Sequence, residues 1–305
     1  MNTIKFSNIR QKTTEQHNLE TAEIRNVELF GKQYKMYTPC NLNIFITNEC
    51  QNHCDFCINK DYAGTDISDE EYHDTLDRLL QNLKDLPIEI TITGGEPTLN
   101  KERFVLTLAM CNNYNFKCRT VSTTGIQLMA DTYGRPLCES MIVYHFIHNI
   151  SISRMSIDDM KNDTILKGKN LSNDDIERLA LFYRLRGAEM RLSCNLINSY
   201  IDSFDKMLNF VDFYRKLGID TIIFRELAGC KNQPLLKDVV HFNRKFQYLE
   251  TLKGMYYNVD VYQYKDMLVK HYTNNTNVNK NILSSMSFRN GILQQDFKTV
   301  IKDLR

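Results

Sequence analysis

The chain has 305 residues, 38 Lys+Arg against 37 Asp+Glu, nine cysteines and no tryptophan. That length suits one large domain, or one domain with a small appendage. Hydrophobic content of 42% with 25% charged residues is ordinary globular usage and excludes a chain that is disordered throughout. A formal net charge of +1 supplies no general pull toward nucleic acid or an anionic membrane, so both are disfavoured as partners.

Met1 to Thr14 is mixed and polar, without the apolar core of a signal peptide. The most apolar stretch, Met141 to Ile152, is broken by His145, His148 and Asn149 and is too short to span a bilayer. A cytoplasmic location is the expectation. Thiols stay reduced there, so nine cysteines point to metal or catalysis before disulfides.

In chain order, residues 1–40 read as a polar N-terminal extension, with Val27 to Tyr37 alternating around Gly31-Lys32 like a small hairpin. Residues 41–253 alternate β-rich runs with amphipathic stretches, the pattern of βα units and a mostly parallel sheet. The expected strands are Leu42–Thr47, Ile88–Thr93, Lys117–Thr123, Asn149–Ser153, Met190–Ile197 and Thr221–Glu226. Ser68 with Glu71 and Ser172 with Asp175 look like helix-capping boxes, a further helix starts near Asn100, and one from about Ser203 ends at Gly218. Six such units in about 210 residues predict an α/β fold, a partial (βα)6 TIM-like barrel. Residues 254–305 change character, with Tyr-rich alternation and a hairpin signal at Asn290-Gly291, and are expected to form a small β-rich C-terminal cap.

Directly after the first expected strand, Cys50, Cys54 and Cys57 stand in a CxxxCxxC spacing. Three thiolates this close can wrap one face of a compact soft-metal centre. A structural zinc site wants four ligands, and His53 or Cys40 could complete one. A cubane cluster held by three cysteines leaves one iron open for chemistry. The second strand then ends in Thr93-Gly94-Gly95-Glu96-Pro97, whose glycines permit close backbone approach and whose Glu96 offers a carboxylate. In isolation that run would read as a turn before a helix.

Together these motifs resemble the radical S-adenosylmethionine (radical SAM) superfamily, from about Asn41 to Leu227. The resemblance implies a [4Fe–4S] cluster on Cys50, Cys54 and Cys57, with S-adenosylmethionine (SAM) chelating the fourth iron. It places Gly94, Gly95 and Glu96 at the methionyl end of SAM and the backbone of Phe56 near the adenine. Ser151 and Ser153 match positions near the SAM methionine or ribose, and Asn195 matches a ribose contact. Thr123 stands where many members have Thr-Asn-Gly, although this chain reads Thr123-Thr124-Gly125. Arg225 looks like an arginine that neutralises the SAM carboxylate, with Arg154 as a rival. An electron donor such as flavodoxin or ferredoxin is implied as a partner.

Strand alternation sets Leu42, Ile44 and Ile46 against Asn43, Phe45 and Thr47, and the other strands divide in the same way. The aliphatic sets suit packing under helices. The polar sets would line a lumen that holds SAM and a polar substrate, or one face of an open twisted sheet. Cys194 falls on the aliphatic side and reads as a core residue. Cys230 follows the sixth strand, where it is either a loop thiol or a hydrogen-atom donor like the cysteine of radical epimerases. No cysteine lies in the last 75 residues, which argues for one cluster. Without a cysteine-rich C-terminal extension, the expected substrate is a small polar metabolite, nucleotide or sugar, with a ribosomally made peptide as the runner-up. A non-catalytic iron–sulfur or zinc module is the alternative of another class. A nucleic-acid-directed radical enzyme is disfavoured by the near-zero net charge.

Overall fold

The computed structural model describes residues 18–59, 65–132, 134–143, 147–197, 199–227, 245–254, 256–275, 281–295 and 299–305. The chain opens with β1 (Glu23–Leu29) and β2 (Lys32–Phe45), followed by α1 (Asp69–Leu83), β3 (Ile88–Thr93), α2 (Lys101–Asn113) and β4 (Lys117–Thr123). Next come β5 (Asp131–Thr132), β6 (Arg135–Pro136), α3 (Leu137–Val143), β7 (Asn149–Ser153), α4 (Asp159–Leu166), α5 (Asn173–Leu185), β8 (Glu189–Asn195), α6 (Phe204–Lys216) and β9 (Thr221–Arg225). The C-terminal part supplies β10 (Gln247–Lys253), β11 (Tyr257–Tyr264), β12 (Met267–Asn274), β13 (Ile282–Arg289), β14 (Ile292–Gln295) and β15 (Thr299–Asp303).

The fold is mixed α/β around one large sheet, in the order β10-β11-β12-β9-β8-β7-β4-β3-β2-β13-β14-β15 with β1 also on β2. Its centre, from β9 to β2, is entirely parallel. The C-terminal strands join both ends of it, because β12 pairs in parallel with β9 and β13 in parallel with β2. Strand β2 also runs without a break across residue 40, so the second arm of the Gly31 hairpin and the first expected strand form one 14-residue element. Strands from before residue 41 and after residue 253 are therefore hydrogen-bonded into the same sheet.

The helices start where their caps predict. Ser68, Asn100, Ser172 and Ser203 each accept a backbone N–H three residues on, which satisfies a donor the helix itself leaves open. The turn at Asn290-Gly291 has φ of 48° and 74°, the left-handed pair that matches hairpin twist, and joins β13 to β14. Aliphatic residues of one strand parity, among them Leu42, Ile44, Ile90, Ile92, Ile150 and Leu192, are fully buried beneath the helices. They meet Leu76 and Leu79 of α1, Ile176 and Leu179 of α5, and Phe210 and Val211 of α6 in one continuous core. Cys40 and Cys194 belong to the same core.

The opposite face carries the polar set. Register aligns Ser122, Ser151, Arg191 and Thr221 in one row, Ser153, Ser193 and Ile223 in the next, and Asn195, Arg225 and Tyr272 at the C-terminal ends of their strands. Toward β10 this face becomes apolar, where Ile223, Leu252, Val259, Val261 and Tyr272 cluster. Tyr262 and Tyr264 lie on the other side of β11. Tyr264 stacks on Phe246 with ring centroids 4.7 Å apart, and its hydroxyl meets the Asp212 carboxylate of α6. Tyr257 shares the polar face, against Tyr272. No helix among the described residues is long and apolar enough to cross a membrane.

Two substitutions weigh core against cap. Ile90→Ala, at a position with 0% exposure, is expected to cost about 2–5 kcal/mol. Ser172→Ala removes only a helix cap and should cost about 1 kcal/mol. Urea unfolding monitored by circular dichroism checks the order, and the reverse order would contradict a core under that face of the sheet.

Candidate functional site

Parallel strands β2, β3 and β4 end side by side, and the three loops that follow them meet at the C-terminal edge of the sheet, where α/β proteins build their sites. The first loop carries the cysteines, the second carries Gly94-Gly95-Glu96, and the third carries Thr123-Thr124-Gly125.

The first two loops are joined backbone to backbone. Ile46 N–H donates to Thr93 O at 3.0 Å, Gly95 N–H to Thr47 O at 2.7 Å, and Glu96 N–H to Glu49 O at 2.7 Å, which extends the β2–β3 ladder past the strands. This contact leaves no space for a side chain. A Cβ on Gly95 would stand 2.0 Å from Glu49 O, and one on Gly94 would stand 2.7 Å from Thr47 O. The glycines are needed for close approach.

Glu96 is fully buried. Its carboxylate accepts from Thr98 N (3.2 Å), Thr98 Oγ1 (2.6 Å), Thr124 N (2.7 Å) and Thr124 Oγ1 (2.8 Å), and also from the Thr123 hydroxyl. Several converging donors offset the cost of burying a carboxylate. The side chain thus fastens the second loop to the third. Gln51 Nε2 donates to Thr124 Oγ1 at 2.8 Å and brings the cysteine loop into the same network. Thr124 occupies the place where the Thr-Asn-Gly pattern has asparagine, and its hydroxyl links Glu96 to Gln51.

Cys50, Cys54 and Cys57 are all half-buried and unpaired by disulfides. Asn52 N–H donates to Cys50 Sγ at 3.4 Å, and the Cys54 thiol reaches Leu166 O at 3.2 Å. Burial raises the pKa of Cys50, with the Glu96 carboxylate and the Cys57 thiol adding to the effect against the Asn52 hydrogen bond. The end of α4 flanks this loop: His53 N–H donates to Lys167 O, Lys167 pairs with Asp55 at 2.6 Å, and Asn52 Nδ2 donates to Asn170 Oδ1 at 2.9 Å.

A further set holds the loop's two ends. The Asp66 carboxylate accepts from the Thr47 hydroxyl, from Asn48 N at 3.0 Å and from Asn48 Nδ2 at 2.7 Å. Asn59 Nδ2 donates to Gly94 O at 2.8 Å.

The donor set fits an iron–sulfur cluster. Three soft sulfurs share one loop, and each iron of a cubane takes its own cysteine, so the thiols need not converge on one point. A single zinc ion needs four converging donors. Among the described residues, no group of three or more His, Cys, Asp or Glu side chains converges in that way. Cys40, considered above as a fourth zinc ligand, is buried under the helices with its pKa pushed up to about 12 by desolvation. His53 is exposed.

The remaining expected residues are distributed as follows. Phe56 is half-buried against the main core. Ser151, Ser153, Asn195 and Arg225 share the polar face, with Ser151 beside Arg191 and Asn195 beside Arg225 in register. Arg225 Nε donates to Ser193 Oγ at 3.2 Å, and its guanidinium lies 4.2 Å from the centroid of Tyr272. Arg154, the rival arginine, is buried and committed elsewhere: it donates to Tyr214 Oη (2.6 Å), Leu171 O (2.8 Å) and Asn173 Oδ1 (3.0 Å) and pairs with Asp159. Cys230 lies outside the described residues. Sequence reading missed Asp66, Gln51, Asn59 and Thr124 as organisers of the site, since short polar side chains in loops carry no periodic signal.

Alkylation of the metal-free protein tests this sorting. Iodoacetamide should modify Cys50, Cys54 and Cys57 well before Cys40 and Cys194, whose thiols are buried and raised in pKa. Peptide mass spectrometry over time reads the order. Glu96→Gln should destabilise the protein by about 1–3 kcal/mol, because an amide N–H₂ would face donors that need an acceptor. Thermal melting of the metal-free protein checks it.

The family model described as the radical SAM superfamily matches residues 44–153. An uncharacterized protein of Methanocaldococcus jannaschii is 24% identical over 206 residues, 67% of this chain and 69% of the relative. An S-adenosylmethionine-dependent nucleotide dehydratase of a Fibrobacter species is 26% identical over 194 residues, 59% of this chain and 53% of the relative. Among solved structures, Streptococcus suis SuiB bound to S-adenosylmethionine superposes with a TM-score of 0.50 at 19% identity, over 68% of this chain and 45% of SuiB. The chain thus spans about half the length of the dehydratase and of SuiB. Residues 44–153 thus match the radical SAM superfamily, whose enzymes use a [4Fe–4S] cluster and SAM.

Proposed function

We propose that the chain cleaves SAM reductively at a single cluster held by Cys50, Cys54 and Cys57 and directs the resulting radical at a small polar substrate. The observation that carries this reading is the backbone junction of the cysteine loop with Gly94-Gly95-Glu96, where Gly95 leaves no space for a side chain. A cluster held by Cys50, Cys54 and Cys57 would supply the single electron for reductive cleavage of SAM to methionine and a 5′-deoxyadenosyl radical able to take hydrogen from substrate.

The protein's share of the work is positioning and exclusion of water. On this reading Cys50, Cys54 and Cys57 would hold the cluster and leave one iron for SAM. The backbone of Gly94 and Gly95 meets the methionyl amine, while Glu96 fixes Thr123 and Thr124 beside it. Phe56 contributes its backbone near the adenine. Ser151, Ser153 and Asn195 bind the methionine and ribose, and Arg225, its guanidinium plane set by Ser193 and Tyr272, faces the carboxylate. The parallel strands β2 to β9 would curve as a partial barrel with the polar rows toward its lumen. A polar face suits a polar ligand better than the branched apolar filling of a closed barrel. Cys230 would serve as a hydrogen-atom donor to the substrate radical, and unchanged product formation by Cys230→Ala would overturn that role.

One observation supports a small substrate: a relative is named for action on a nucleotide. The electron would come from a flavodoxin or ferredoxin.

Anaerobic reconstitution followed by dithionite and SAM tests the reading. Methionine and 5′-deoxyadenosine are expected from the wild-type protein and neither from Cys54→Ala. Gly95→Ala should lose the products as well, because its methyl group would displace the Glu49 carbonyl. A wild-type protein that holds a full cluster and yields no 5′-deoxyadenosine would refute the proposal.

A further inference from the structure

The cysteine loop has two asparagines at its ends, and one residue from the far end of the chain bonds to both. Asn48 precedes Cys50 by two residues and Asn59 follows Cys57 by two. Arg289, the last residue of β13, is 8% exposed and donates from Nε to Asn48 Oδ1 at 2.6 Å and from a terminal nitrogen to Asn59 Oδ1 at 3.4 Å. Its guanidinium carbon lies 4.9 Å from the centroid of Phe45, the last residue of β2. Each asparagine uses its carbonyl on Arg289 and its amide elsewhere, Asn48 on Asp66 and Asn59 on Gly94 O. The next residue, Asn290, donates from Nδ2 to Thr65 O at 2.7 Å, just ahead of Asp66.

A loop without helix or strand must lose conformational freedom before three thiols can hold one cluster. Bringing its two ends together beforehand removes part of that cost. Guanidinium suits the task, since its planar fork can serve two acceptors at once, whereas the ammonium of lysine is a single point of charge.

We infer that Arg289 is a positioning residue for the cluster: it closes the base of the cysteine loop and slows loss of iron without touching the metal. This rests on the cluster site proposed above. It assigns a role at that site to the C-terminal segment, far outside the stretch matched by the family model.

The test uses the full chain, reconstituted anaerobically with ferrous iron and sulfide, and follows iron release to a ferrous chelator. Arg289→Ala is expected to release iron about tenfold faster than wild type, the loss of a buried charge-assisted hydrogen bond. Arg289→Lys should fall between the two. Asn43→Ala is the control: Asn43 Nδ2 bonds Ser285 Oγ and Met286 O across the same β2–β13 pair but does not touch the loop, and it should release iron at the wild-type rate.

A wild-type protein that takes up no cluster overturns both this inference and the proposed function. A wild-type cluster that is lost no faster from Arg289→Ala overturns the inference alone. Equal acceleration in Asn43→Ala also overturns it, since loosening of the strand pair would then be the cause. If Arg289→Ala does not fold, Arg289→Lys decides: faster release than wild type supports the role, and a wild-type rate overturns it.

Discussion

Adjacent parallel strands share hydrogen bonds only as far as their backbones stay extended, and the chains normally diverge beyond that point. Here the pairing of β2 and β3 continues through Gly95 to Thr47 and Glu96 to Glu49. Everything proposed for the site depends on this extension. It sets the cysteine loop directly against a loop whose backbone N–H and C=O groups are not hidden by side chains. A methyl group at position 95 would sit 2.0 Å from a carbonyl oxygen, far inside van der Waals contact, so no small rearrangement could accommodate it.

From this junction the polar network spreads in two directions. Glu96 carries the constraint across to the Thr123-Thr124 turn, and Thr124 returns it to Gln51 within the cysteine motif. Buried networks of this kind are costly when incomplete, because each unpartnered group keeps its full desolvation penalty. The arrangement therefore favours a single geometry over a family of near-equivalent ones. On the other side, the end of α4 supports Asn52, His53 and Cys54 through Asn170, Lys167 and Leu166. The loop is braced along its length as well as at its ends.

Much of this was readable from local pattern. The expected strands Ile88–Thr93, Lys117–Thr123 and Asn149–Ser153 coincide with β3, β4 and β7, because period-two alternation between turn residues has few other solutions. Ser68, Ser172 and Ser203 marked helix starts for an equally local reason, the short reach of a hydroxyl to the third N–H ahead. The cysteine and Gly-Gly-Glu-Pro motifs marked the site because both needs are met within a few consecutive residues. Partnerships across long separations were not readable. Nothing in the pattern of β12 or β13 says that they dock on β9 and β2, since an alternating strand looks the same beside any neighbour. Nor did Arg225 and Arg154 differ until one was found on the polar face and the other enclosed by Tyr214, Leu171 and Asn173.

Strand β2 bears β1, β3 and β13 as neighbours, and these come from widely separated parts of the chain. Arg289 and Asn48 lie 241 residues apart in sequence. During synthesis the cysteine motif, its glycine-rich partner and all the central parallel strands leave the ribosome while one flank of β2 still has its backbone groups unsatisfied. Closure of the sheet on that flank, and of the cysteine loop's base with it, waits for the last part of the chain. Until β13 arrives, the bonds from Arg289 to Asn48 and Asn59 cannot form, and the two ends of the cysteine loop stay free to part.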